Sequence, residues 1–130
     1  MTSIDLNTVD VARATLRTFF NITRVWGLTP EESRIISDVD IEIFELWKSQ
    51  IVDEPLHEEV LKRISCVLNI YAALQTLLPA PESADAWIKT LNTASLFGGR
   101  RALDLMLTGR YEDLYAISEY LAGQLRGDFA

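Results

Sequence analysis

The sequence is poor in the residues that build reactive centres. Its 130 residues include one cysteine, Cys66, and one histidine, His57. A single cysteine excludes an intramolecular disulfide, and its place in the apolar stretch RISCVLNIYAAL predicts a buried thiol. No nucleophile motif surrounds either residue, and two such residues are too few ligands for a zinc ion. The sequence therefore predicts no catalytic site, no metal site and no bound cofactor.

Long apolar runs are also missing. Polar residues interrupt every apolar stretch well short of the ~20 residues that a membrane span requires. The first ten residues, MTSIDLNTVD, lack the basic and apolar regions of a secretory signal. We therefore expect a cytoplasmic protein with no membrane partner. Hydrophobic residues make up 48% of the chain, which is enough for one globular core.

Apolar residues recur at helical spacing along the whole chain, which predicts an all-α fold. Thr29, Pro30 and Glu32 carry the signals of a capped helix start, and that helix should run to about Ser37. A turn and a second apolar pattern then complete a helix-turn-helix-like unit. The other predicted helices run from about Val9 to the Asn21 region, from Pro55 to before Pro79, from about Glu82 to a cap at Asn92 with Leu91 inward, from Leu103 to Leu107 with Gly109 as cap, and from Tyr111 to Gly127.

Positive charge is scarce where a DNA-binding unit would need it. Residues 1–54, the predicted N-terminal region, hold five basic and ten acidic side chains. Because phosphate neutralisation supplies most non-specific affinity for DNA, base readout by the acidic second helix is disfavoured. Other basic side chains would have to contact operator DNA. A charged helix face exposed to solvent is the simpler explanation for these side chains. These candidate DNA-binding residues are Arg13, Arg17, Arg24 and Lys48.

The stretch from Trp87 to Gly109 joins the only Gly-Gly pair of the chain to its only Arg-Arg pair. Gly98 and Gly99 allow positive φ angles or a close approach of another chain. The two arginines that follow offer planar forks suited to carboxylates or phosphates. A tight turn between helices, with both arginines merely solvated, explains the same residues.

Several short motifs in residues 58–123 resemble the toxin-binding domain of the Xre/MbcA/ParS antitoxins. They share the order and spacing of that family, and residues 55–130 are therefore interpreted as a helical toxin-binding domain onto which the N-terminal unit packs. Two positions depart from the family pattern: Arg101-Ala102 and Leu91 stand where the family often has proline. The motifs are Arg63-Ile64-Ser65, Leu74, Trp87-Ile88, Asn92, Phe97-Gly98-Gly99-Arg100, Leu103-Asp104-Leu105 and Gly109.

The resemblance implies an antitoxin with no enzymatic activity of its own. Its partner would be a cognate toxin, most often a RES-domain protein that consumes NAD or transfers ADP-ribose, and it would form a homodimer and a hetero-oligomer with that toxin. Autorepression of the operon is also implied. The alternative function is a stand-alone helix-turn-helix transcriptional regulator. The candidate toxin-binding residues are Trp87, Asn92, Phe97, Gly98, Gly99, Arg100, Arg101, Arg110, Arg126 and Phe129.

Two segments are alternative candidates for the part of the chain that blocks the toxin. In one hypothesis, Arg100 and Arg101 enter the cofactor cleft and pair with a carboxylate there. A buried charged pair of this kind is a typical interface hot spot. In the other, the C-terminal tail from Arg126 to Ala130 fills the cleft, with Phe129 as an apolar anchor.

Overall fold

The computed structural model describes residues 8–127, and over that range it consists of seven α-helices and one short 3₁₀ helix. The only β pairing among these residues is an isolated antiparallel bridge between Leu91 and Arg101. The predicted all-α fold is confirmed. The helices are α1 (Val9–Val25), α2 (Pro30–Ser37), α3 (Ile41–Lys48), α4 (Glu58–Leu77), α5 (Pro81–Ala86), the 3₁₀ helix (Trp87–Lys89), α6 (Ala102–Met106) and α7 (Tyr111–Arg126).

Helix α4 lies at the centre of the fold. It packs most extensively along α7 and also contacts α1, α2 and α5. Ile64, Val67 and Ile70 of α4 are completely buried. One connected core contains buried side chains from all seven helices, so the N-terminal helices share their apolar interior with the C-terminal ones. The domain boundary after residue 54 stays a prediction.

The cap signals around α2 and α3 have the expected geometry. The Thr29 hydroxyl accepts a hydrogen bond from the Glu32 backbone N–H at 3.1 Å, and the Glu32 carboxylate accepts one from the Thr29 N–H at 2.8 Å. Helix α2 ends at Ser37, and Asp38 follows with a left-handed φ of 56°. The Asp40 carboxylate then caps α3. Two short helices joined by a turn are thus confirmed, whereas their use as a DNA-binding unit stays a prediction.

Two helix boundaries in the N-terminal half differ from the prediction. Helix α1 continues past the Asn21 region to Val25, because its last turns carry Ile22 and Trp26 into the core. Helix α4 begins at Glu58 and not at Pro55. The segment before it buries Val52 and Leu56, which keeps the chain extended against the core until His57.

Three details between Trp87 and Gly109 were predicted wrongly. The 3₁₀ turn after α5 changes the rotation of the chain, so Leu91 is 73% exposed and not inward. Asn92 is not a left-handed helix cap; its side-chain oxygen accepts a hydrogen bond from the Ala94 N–H at 2.9 Å. Helix α6 ends at Met106, and Gly109, with a φ of 78°, lies in the turn before α7. The cap of α7 by Gly127 is confirmed.

The predicted burial of the single thiol is confirmed, since Cys66 is 5% exposed. Burial raises the pKa of that thiol above its usual value. Within residues 8–127, no three His, Cys, Asp or Glu side chains come together in a way that could hold a metal ion. No helix in the same range is long and apolar enough to cross a lipid bilayer.

Candidate functional site

The chain between α5 and α6 forms a loop that its own backbone closes. The Asn92 N–H donates to the Arg100 carbonyl at 3.0 Å, and the Gly99 N–H donates to the Asn92 carbonyl at 2.8 Å. The bridge between Leu91 and Arg101 lies at the mouth of this loop. We call residues 91–101 the arginine loop. These contacts fix the two ends of the loop relative to each other. The exposed side chains of the loop are therefore held by a closed backbone.

The glycine pair serves the conformation of the arginine loop. Gly98 and Gly99 have φ angles of 58° and 85°, in the left-handed region that residues with a Cβ disfavour. A Cβ atom added at either position would meet no other atom within 4 Å. The glycines are therefore required by their backbone angles and not by a lack of space for a side chain.

An aromatic cluster forms the base of the arginine loop. Phe97 is completely buried and packs edge-to-face on Trp87 at 5.6 Å and on Tyr120 at 5.3 Å between ring centres. Trp87 and Tyr120 stack at 6.5 Å. Phe97 thus attaches the loop to the 3₁₀ helix and to α7. Tyr120 was not identified from the sequence as part of this site, although it directly precedes Leu121, a buried residue of the core.

The two neighbouring arginines have different environments. Arg101 is paired within the chain: its Nη2 lies 2.8 Å from Asp104 Oδ1 and its Nε 3.3 Å from Oδ2, while its backbone N–H donates to the same carboxylate at 3.0 Å. The side-chain hydrogen bond from Arg101 is the main reason why the pKa of Asp104 lies below its usual value. Arg100 is exposed, and its Nε donates to the Phe97 carbonyl at 3.3 Å. Among the described residues Arg100 has no salt bridge within 4 Å, so its two terminal nitrogens face the solvent.

Arg63 connects the turn before α7 to the N-terminal helices. Its Nη1 donates to the Gly109 carbonyl at 2.7 Å, and its Nη2 lies 3.6 Å from the Asp38 carboxylate. The Arg63 side chain is only 12% exposed, so the contact with Gly109 is shielded from water. In the sequence, Arg63 was identified only as part of the Arg63-Ile64-Ser65 motif. Its role depends on a contact between residues 46 positions apart, which no local pattern reveals.

The predicted toxin-binding residues do not form one patch. Trp87, Asn92, Phe97, Gly98, Gly99, Arg100 and Arg101 lie together in and under the arginine loop. Arg110 and Arg126 flank the two ends of α7, whose 16 residues span about 24 Å at the usual helical rise. Arg110 is exposed, with its Nε 3.7 Å from Asp113. Phe129 lies outside the described residues.

Three of the four candidate DNA-binding residues border one groove. Arg13, Arg17 and Lys48 lie around a cavity of about 490 Å³ between α1 and the end of α3. The Arg13 Nε donates to the Val52 carbonyl at 3.1 Å, which fixes that side chain. Arg24 is not part of this groove and donates to Asn21 at 3.0 Å.

The fold and the loop define a helical binding protein whose exposed loop projects from an aromatic base. The model of the antitoxin Xre/MbcA/ParS C-terminal toxin-binding domain matches residues 73–127. The uncharacterized protein y4oB of Sinorhizobium fredii is 34% identical over 115 residues, which is 88% of this chain and 86% of that protein. The chain belongs to the Xre/MbcA/ParS antitoxin family, and the matched residues include the whole arginine loop, α6 and α7.

Proposed function

We propose that this chain neutralises a cytoplasmic toxin of the RES type, which consumes NAD or transfers ADP-ribose, by placing the arginine loop over the toxin's active site. The observation that carries the proposal is the position of the loop. It lies inside the matched toxin-binding segment, it is closed by backbone hydrogen bonds, and the Arg100 guanidinium uses only its Nε, in a hydrogen bond to Phe97, and has no salt bridge within the described chain.

Arg100 is the better candidate for the contact with the toxin. Arg101 would first have to release Asp104, whereas Arg100 keeps both terminal nitrogens available for a carboxylate. Leu91 adds an apolar group at the mouth of the same loop, and its 73% exposure is unusual for a leucine. Burying that side chain contributes about 1.5–3 kcal/mol. Arg100 and Leu91 together form a charged and an apolar anchor on one rigid loop.

The experiment is a growth-rescue assay with the toxin encoded beside this chain. Arg100→Glu and Leu91→Ser should each lose rescue, while Arg24→Glu, a matched charge reversal on α1, should keep it. Deletion of residues 127–130 tests the competing tail hypothesis. If the deletion loses rescue and Arg100→Glu keeps it, the tail and not the loop blocks the toxin. If every variant rescues, neither segment does.

Co-purification identifies the partner and the stoichiometry. The chain and the neighbouring gene product, expressed together, should elute as one complex whose mass gives the number of copies of each. We expect two copies of this chain, because the family resemblance implies a homodimer. Restored NAD levels in cells that express both proteins would support a RES-type toxin, and unchanged NAD levels would contradict it.

Operator binding is a second candidate function, and the groove between α1 and α3 favours it. Three cations converge there in an otherwise acidic N-terminal region, and no acidic side chain among residues 8–127 lines the groove, although Arg13 also lies 3.7 Å from Asp10. Phosphate contacts through Arg13, Arg17 and Lys48 would make binding to promoter DNA strongly salt-dependent. Arg17→Ala should then weaken binding similarly for all sequences, and a chain that does not bind its own promoter at low salt would exclude this function.

A further inference from the structure

The exposed face of α3 is apolar where a DNA-reading helix would be polar or basic. Ile43 and Leu46 of α3 are 40% and 43% exposed, and Ile51 just beyond the helix is 48% exposed. All three line a single groove with a volume of about 510 Å³, which we call the α3 groove. Val52 and Leu56 line it as buried residues. Apolar side chains that share one groove are typical of a binding surface, unlike single exposed ones.

The rim of the α3 groove is acidic. Asp53 and Glu54 line the groove, and neither has an ion pair within residues 8–127. Glu42 and Glu45 do not line it, but they are exposed elsewhere on α3 and add to the negative charge of that helix. In the described part of the chain, no lysine or arginine lines the groove, and His57 is its only potentially basic lining residue. Its two other acidic residues are engaged, since Asp38 lies 3.6 Å from Arg63 and Asp40 caps α3. The groove therefore combines an apolar floor with uncompensated negative charge.

We propose that the α3 groove binds a short amphipathic helix of a partner protein, with apolar side chains on one face and lysine or arginine beside them. Ile43, Leu46 and Ile51 offer apolar contacts to the side chains that a helix presents at helical spacing on one face when it binds in a groove. Charge complementarity selects a basic partner, because an acidic rim raises the affinity for flanking cations and repels acidic segments. This surface is separate from the arginine loop.

Other occupants conflict with the same charges. A second copy docked face to face through the α3 groove would bring Asp53 and Glu54 of both copies to one interface, and like charges at an interface are costly. DNA phosphates and anionic lipid headgroups are repelled for the same reason. The partner is therefore a basic protein segment.

The experiment measures fluorescence anisotropy of a labelled synthetic peptide of about four helical turns, with leucines on one face and lysines elsewhere. The full chain should bind it. The pair Ile43→Ser and Leu46→Ser should weaken binding by about tenfold or more with no change in charge. The pair Asp53→Lys and Glu54→Lys should weaken it similarly. Glu82→Lys with Glu119→Lys, an equal charge change on α5 and α7, should leave the affinity within about twofold.

Thermal melts of each variant establish that loss of binding is not loss of folding. Equal weakening by both lysine pairs would mean unspecific charge attraction and would overturn the proposal. The same holds if a peptide with glutamate in place of lysine binds equally well. Sedimentation of the chain alone provides the remaining test, because a dimer abolished by Ile43→Ser and Leu46→Ser would assign the groove to a second copy.

Discussion

Single residues decide whether the arginine loop is rigid. Gly98 and Gly99 hold left-handed angles, Phe97 is buried beneath them, and the Asn92 side chain turns back on its own backbone. The sequence predicted the glycines correctly, because only glycine takes such angles readily. It did not predict the exposure of Leu91, since helical periodicity placed that side chain inward and a 3₁₀ turn rotated it out.

Replacing Gly98 by alanine should destabilise the chain. At a φ of 58° a Cβ costs about 1–2 kcal/mol, although no neighbouring atom obstructs it. Asparagine tolerates this region better, so Gly98→Asn should lower the free energy of unfolding by less than Gly98→Ala does. Urea denaturation measures both, with Ser95→Ala in the same loop as a control. Equal losses for alanine and asparagine would contradict the conformational explanation.

The Asp104 carboxylate makes part of the stability of the loop dependent on pH. Hydrogen bonds from Arg101 hold its pKa below the usual 3.8. The pair stabilises the folded chain fully above that value, and the contribution is lost as the pH falls through the lowered pKa. Both side chains are about one-third exposed, so solvent screening keeps this contribution small.

Asp104→Asn measures this contribution. The difference in unfolding free energy between the variant and the native chain should be largest near neutral pH and should shrink in acid. A difference that stays constant from pH 7 to strong acid would show that the ionised carboxylate is not the cause. Asp85→Asn, at a partly buried position on α5 whose carboxylate accepts a hydrogen bond from Gln75, is the control.

At the scale of the helices, the boundaries were predicted best where neighbouring residues in the sequence determine them. The capping residues at Thr29, the helix start at Pro30 and the glycine at the end of α7 all have the expected geometry. Helix α4 began later than its proline suggested, because burial of Val52 and Leu56 holds the preceding segment extended. Such tertiary contacts leave no local pattern, and they also explain why Arg63 and Tyr120 were not identified as supports of the site.

Among the polar residues that connect separate helices and turns, Arg63 should be the one whose replacement destabilises the fold most. It is 12% exposed and hydrogen-bonds the Gly109 carbonyl, so Arg63→Met should lower the free energy of unfolding by about 1.5–3 kcal/mol. Lys62→Met, one residue earlier and more exposed, should cost less than about 1 kcal/mol. Thermal and urea unfolding provide both values. Equal costs at the two positions would contradict a structural role for the contact with Gly109.

The whole molecule carries both proposed binding surfaces on one core. The arginine loop lies in the toxin-binding segment of the family, while the α3 groove lies in the N-terminal region and is acidic. The charge count of the first 54 residues predicted that α3 would be a poor reader of DNA. It did not predict the apolar groove, because the exposure of Ile43 and Leu46 depends on how α3 packs through Phe44 and Trp47.

The affinity of the purified toxin for this chain tests the central claim most directly. Calorimetric titration should give a tight complex with the native chain and at least about a hundredfold weaker binding by Arg100→Glu, since reversing a charge at a desolvated pair costs several kcal/mol. Arg24→Glu should bind within about twofold of the native chain, because an exposed charge away from the interface contributes little. If Arg100→Glu also binds within about twofold, the arginine loop is not the surface that meets the toxin.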